Sequence, residues 1–117
     1  MEILIVDDNK DICQLIESIL LSDGYNVESC FNPLQFSEII KQTQPKLIIT
    51  DLLMSGYDGR TLTREIKENA ETQHIKIIMM SAHPDAKKLS EKAGVDDFLT
   101  KPFEIDDLVT KVENLLK

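Results

Sequence analysis

Five short runs recur along the chain: ILIV (3–6), NVESC (26–30), KLIIT (46–50), KIIMM (76–80) and DDFLT (96–100). Four are rich in Ile, Leu, Val or Met without clear alternation, the pattern of strands covered on both faces. NVESC is more polar, which places it nearer a sheet edge. Between the runs the period becomes helical. Ile12, Leu15, Ile16, Ile19 and Leu20 share one helix face, and Gly24 stands where that helix should stop. Asn32-Pro33 predicts an N-cap followed by proline at the first helical position. Phe36, Ile39 and Ile40 then turn inward, and Gln44-Pro45 ends the segment. Leu62 and Ile66 mark a third helix, and a weakly apolar fourth lies between Pro84 and Ala93 with Gly94 past its end. Ile105, Leu108, Val109, Val112, Leu115 and Leu116 define the last.

Strand and helix therefore alternate five times. Such alternation implies an α/β fold: a five-stranded parallel sheet with helices on both faces, (βα)5 and doubly wound, joined by right-handed crossovers. No repeat, linker or low-complexity segment interrupts it, so residues 1–117 are read as one domain.

Polar residues fall at one place in this pattern. The first strand ends in Asp7 and Asp8, the third runs into Asp51, the fourth is followed by Ser81, and the fifth by Lys101-Pro102. In a parallel sheet all the carboxyl ends share one rim, where ligands of open α/β sheets bind. Three carboxylates close together repel one another, and something positive must offset them. Lys101 supplies one charge; Mg²⁺, which accepts one or two carboxylates and keeps several waters, would supply the rest. A carboxylate beside a metal and a lysine suits phosphoryl transfer through an aspartyl-phosphate. Asp51 is the best nucleophile because it follows a central strand alone. Asp7 and Asp8 are better ligands, Lys101 a phosphoryl clamp and Ser81 a hydroxyl donor. Each residue also has a plainer reading. Asp8 or Asn9 could cap the first helix, Asp51 could cap the third, and Lys101-Pro102 could be an ordinary turn or a cis bond.

Composition narrows the choice of partner. Thirteen basic residues against 21 acidic ones give a net charge of −8, which disfavours nucleic acid and favours a cation or a positively charged protein surface. No apolar run is long enough to span a membrane, and Glu2 with Asp7 and Asp8 excludes a signal peptide, so a cytoplasmic location is expected. Cys13 and Cys30 form no metal or redox motif and read as small buried thiols.

The acidic pair Asp7-Asp8, DLLMSGYDG (51–59), Ser81-Ala82 and KPF (101–103), in this order, resemble the receiver domain of two-component response regulators over the whole chain. The resemblance implies a flavodoxin-like strand order 2-1-3-4-5 and a signalling switch rather than an enzyme with a separate turnover substrate. It implies that Asp51 accepts phosphate from a histidine kinase or histidine phosphotransfer protein. Asp7, Asp8, Asp51 and the Leu53 carbonyl would hold Mg²⁺. Ser81, Lys101 and the N–H groups of Leu52 and Ala82 would contact the phosphoryl oxygens. Phe98, otherwise a plain core aromatic, matches the family's switch residue, which turns inward when Ser81 moves. The surface of the fourth helix, fifth strand and fifth helix would then bind a protein target. Kinase docking would use Ile12, Leu15 and Phe103. The chain ends just after the fifth helical pattern, so no output domain is expected within it.

The sequence departs from the family at a few positions. Ser55, followed by Gly56, replaces the usual proline after the methionine of the DLLM stretch, and Phe98 lacks the hydroxyl of the commoner tyrosine. Leu53 and His83 occupy positions that modulate phosphate lifetime in the family. His83 is read as an exposed loop residue rather than a base, and His74 as a loop residue carrying no chemistry. Rival readings fit less well. A phosphatase of the haloacid dehalogenase type needs an acid two residues after its nucleophile, where Asn9 follows Asp7. A flavodoxin-like electron carrier needs a phosphate-cradling loop where Asp7 and Asp8 stand. An EF-hand needs glycine at Ile12 and glutamate at Ser18.

Overall fold

Ile3–Val6, Val27–Cys30, Leu47–Asp51, Lys76–Ser81 and Asp97–Thr100 form strands β1 to β5. The computed structural model describes residues 2–54 and 56–117; the Ser55 departure lies outside them. All five strands are parallel, in the order β2-β1-β3-β4-β5, the flavodoxin-like order that the resemblance implies. Helices α1 (Lys10–Ser22), α2 (Phe36–Thr43), α3 (Gly59–Glu68), α4 (Ala86–Ala93) and α5 (Ile105–Leu116) connect and close them.

Why the apolar runs lack alternation is visible in the packing. Ile3 and Ile5 face α1 and α5, with Cys13, Ile16, Leu20, Leu108 and Val112. Leu4 and Val6 face the other layer, with Phe36 and Ile40 of α2 and Leu62 and Ile66 of α3. Both sides of β1 are fully buried, and each such side chain contributes roughly 1.5–3 kcal/mol. VESC buries only its first and last residues, as befits β2 at the edge.

Local signals set the helix ends. Gly24 and Gly94 adopt φ of +91° and +96° and stop α1 and α4, a conformation that costs glycine little. The start of the second helix differs from expectation. Asn32 caps a 3₁₀ turn, Pro33–Gln35, through its Oδ1 to Leu34 N–H at 3.0 Å, and α2 begins only at Phe36. Gln35 N–H donates to Asn32 O at 3.0 Å, the i to i+3 closure of that tighter turn. A short antiparallel ribbon, Leu53–Met54 with Tyr57–Asp58, follows β3; its two-residue arms are too short for a periodic pattern to announce it.

Candidate functional site

The rim is assembled from strand ends. Oxygens of Asp7, Asp8 and Asp51 all lie within 4.8 Å of one another. Lys101 Nζ stands 3.3 Å from Asp7 Oδ2 and 3.2 Å from Asp51 Oδ1, so one ammonium bridges two of the three carboxylates. Asp7 is buried, Asp51 half-buried and Asp8 exposed, which opens the cluster to water on the Asp8 side. Burial raises the Asp51 carboxyl above the ordinary aspartate range; Lys101 opposes that rise and Asp7 adds to it. Among the described residues, this is the cluster of acidic, histidine or cysteine side chains close enough to share a metal ion. Hard carboxylate oxygens with an open side suit Mg²⁺.

The capping question resolves in favour of Asn9. Its Oδ1 accepts from Asp11 N–H at 3.0 Å and Ile12 N–H at 3.3 Å, while its own N–H donates to Asp7 Oδ1 at 2.9 Å. Asn9 thus starts α1 and holds Asp7 at once. It also fills the position where a dehalogenase-type phosphatase needs its acid. Asp58 caps α3, accepting from Arg60 N–H at 2.8 Å, and the Arg60 hydrogen bonds hold its carboxyl below the usual range.

Around the acids, Ser81 is buried at the end of β4, and its Oγ accepts from His83 N–H at 3.0 Å. Ala82 is exposed beside it. The Leu52 amide donates to Met80 O at 2.9 Å at the end of the sheet, and its hydrogen bonding to the Asp51 carboxylate opposes the rise of that group. Phe98 is only 8% exposed and packs with Leu52, Met79 and Ala86; in this structure it already faces inward. The Lys101–Pro102 bond is cis. Cys13 and Cys30 are buried as expected, and burial pushes the Cys13 thiol up to about 12.

Two features were not read from the sequence. Gly59 N–H donates to Leu52 O at 2.7 Å, and a Cβ on Gly59 would lie 2.3 Å from Asp51 O, so α3 abuts the backbone of Asp51 itself. Tyr57 meets Phe36 edge-on at 4.9 Å and donates to Glu65 Oε2 at 3.1 Å, which ties the ribbon after β3 to α2 and α3. Beside the acidic rim, a largely apolar groove of about 470 Å³ is lined by Ile12, Leu15, Phe103 and Ile105, with Ala82, Lys101 and Pro102 at its edge. It gathers all three residues expected to dock a kinase.

Comparison with known proteins agrees with this architecture. The family model described as "Response regulator receiver domain" matches residues 3–113. The chain is similar to the DNA-binding dual master transcriptional regulator RpaA of Synechocystis, 31% identical over 117 residues, covering 98% of this chain and 48% of RpaA. It therefore spans about half the length of that relative. Among solved structures, the receiver domain of NtrX from Brucella abortus superposes with a TM-score of 0.90 at 30% identity, covering 98% of both chains. The receiver domain of a signal transduction histidine kinase from Syntrophus aciditrophicus gives 0.90 at 34% identity, covering 98% of this chain and 89% of that one.

Proposed function

We propose a function for a chain that belongs to the response regulator receiver domain family: Asp51 is the phosphoacceptor of a histidine-to-aspartate phosphorelay, and its phosphorylation controls a protein partner. The observation that carries the reading is the bridged acidic cluster, with Lys101 between Asp7 and Asp51.

An Asp51 carboxylate oxygen attacks the phosphorus of a phosphohistidine. A P–O bond forms, the P–N bond breaks, and the imidazole leaves with the bonding pair and takes up a proton. Asp7, Asp8, Asp51 and the Leu53 carbonyl would hold Mg²⁺, which neutralises charge on the transferring group when bound. Lys101 is already in contact with Asp51 and needs only a small turn to meet a phosphoryl oxygen. Ser81 gives up the N–H of His83 as it turns its hydroxyl to the same group, and the Ala82 N–H lies next to it in the chain. The loop from β4 into α4 is thereby coupled to phosphorylation. Because Phe98 is already buried, the switch acts by repacking around the ring against Leu52, Met79 and Ala86 rather than by swinging it in.

The groove of Ile12, Leu15, Phe103 and Ile105 serves as the docking surface for the donor, a histidine kinase or phosphotransfer protein. Leu15 and Ile105, each more than half exposed, are its contact points. The net charge of −8 favours a donor with basic residues around its apolar face, and gives no ground for assigning DNA contact to this segment. A cytoplasmic setting belongs to the same proposal; among the described residues no helix is long and apolar enough to cross a membrane.

The test is incubation with acetyl phosphate and Mg²⁺, read by intact mass. Wild type should gain one phosphoryl group that hydroxylamine removes, and Asp51→Asn should gain none. A chain that is never modified, or one modified equally in the variant, overturns the assignment. Steady turnover of an added phosphomonoester would instead revive the phosphatase reading.

A further inference from the structure

Phe98 lies on β5, an edge strand, and its ring points to the α4 side of the sheet. Its neighbour Leu99 points to the other side, where α5 packs through Leu108 and Val112. A repacking of the Phe98 ring is therefore felt first by α4, and the sheet stands between it and α5.

The backbone of Phe98 takes a different route. Lys101 N–H donates to Ser81 O at 3.0 Å, and Ser81 is in register with Thr100. In a parallel ladder this parity turns the backbone groups of residues 97, 99 and 101 toward β4 and those of Phe98 toward the open edge. Both edge-facing groups are taken by charged side chains. Phe98 N–H donates to Asp97 Oδ1 at 2.7 Å, Phe98 O accepts from Lys111 Nζ, and Lys111 Nζ lies 3.5 Å from Asp97 Oδ1. The result is a closed ring of contacts around the edge of the strand, with Lys111 reaching it from the middle of α5.

We propose that Lys111 is a positioning residue that couples Phe98 to α5, so that a displacement of the strand at Phe98 moves α5 as well as α4. The inference rests on the phosphoacceptor reading and deepens it: it names the link by which the fifth helix joins the output face. The same ring occupies the outward N–H and C=O of Phe98, which closes that part of an exposed edge to strand addition.

The experiment is amide NMR of wild type, Lys111→Met and Lys111→Arg, each titrated with Mg²⁺ and then beryllofluoride, a mimic of aspartyl-phosphate. Wild type should shift around Asp51, Ser81 and Ala82, at Phe98, and along α5 from Leu108 to Val112. Lys111→Met should keep the first two sets and lose the third, and Lys111→Arg should restore it. A purely structural lysine would lower stability without removing the α5 response. Should Lys111→Met fail to fold, Asp97→Asn weakens the same ring at nearly constant size and is read in the same way. Persistence of the α5 shifts in the variant, or their absence in a wild type that responds at Asp51, overturns the coupling. A wild type with no response at Asp51 overturns the phosphoacceptor reading itself, and the coupling with it.

Discussion

Replacing Asp51 by asparagine should make the protein more stable, not less, in the absence of divalent ions. Oxygens of the three rim carboxylates lie within 4.8 Å of one another, and at an effective dielectric of about 20 each like-charged pair at that distance costs about 3.5 kcal/mol. The Lys101–Asp51 pair at 3.2 Å returns about 5 kcal/mol on the same scale. Asp51→Asn removes two repulsions and one attraction, a net gain of about 2 kcal/mol, reduced toward about 1 kcal/mol because Asp8 is exposed and screened. For a domain of this size the melting temperature should rise by roughly 4–8 °C. The sign follows from linkage: the folded Asp51 carboxyl titrates above its unfolded value, so its ionised form opposes folding. That penalty is absent below the unfolded value of about 3.9 and complete above the folded one. The variant's advantage should therefore be full at pH 7 in EDTA, fade as the pH falls through the folded value, and be gone below about 4. Mg²⁺ should narrow the gap at pH 7 by stabilising wild type, by about 1.4 kcal/mol at ten times its dissociation constant. Thermal melts followed by circular dichroism in these three buffers decide the matter. An Asp51→Asn protein that melts at or below wild type at pH 7 in EDTA would refute the electrostatic account of the rim.

Three further substitutions probe other links. Lys101→Met leaves Asp7 and Asp51 without their shared cation; urea unfolding should show a loss of about 3 kcal/mol, and acetyl phosphate should modify the protein roughly 10²-fold more slowly. Gly59→Ala puts a methyl group against Asp51 O; it should cost about 1–3 kcal/mol by forced backbone movement and slow modification of Asp51, with a normal rate counting against the close approach. Leu108→Ala empties a fully buried site on α5 and should cost about 2–5 kcal/mol in the same unfolding assay, leaving the rate of modification with acetyl phosphate unchanged.

Much of this architecture is legible because burial on two faces leaves a plain mark. ILIV and KIIMM have no alternation to misread, and parallel strands place Asp7, Asp51, Ser81 and Lys101 on one rim whatever their side chains do. Where the reading fell short, a local contact decided the outcome. Asn32-Pro33 carries the chemistry of a helix start, yet the Gln35 N–H closes a 3₁₀ turn on Asn32 O before α2 begins. Lys111 lies among polar residues of α5, and no periodicity distinguishes a lysine that meets solvent from one that reaches a strand edge. Gly59 follows Asp58 in a helix-start pattern, which explains a cap but not the closeness of α3 to Asp51.

His83 supplies a prediction about how long the phosphoryl group persists. It stands two residues after Ser81, where a basic ring nitrogen would be placed to activate water against an acyl phosphate. Its Nδ1, however, accepts from Asp85 N–H at 3.1 Å. A neutral imidazole has one lone-pair nitrogen and one N–H, and the hydrogen bond at the first fixes the proton on the second. Nε2 is then a donor, and the remaining lone pair is occupied by the backbone at the start of α4. The ring helps shape the loop into α4 and has no free base to offer. Nitrogen shifts of the His83 ring at pH 8 should show the Nε2–H tautomer. His83→Asn, whose side-chain oxygen accepts the same backbone N–H, should lose its phosphoryl group within roughly a factor of three of the wild-type rate. A slowing of about a hundredfold or more, the usual effect of removing a general base, would mean that the ring abandons the Asp85 amide in the phosphorylated protein and acts on water after all.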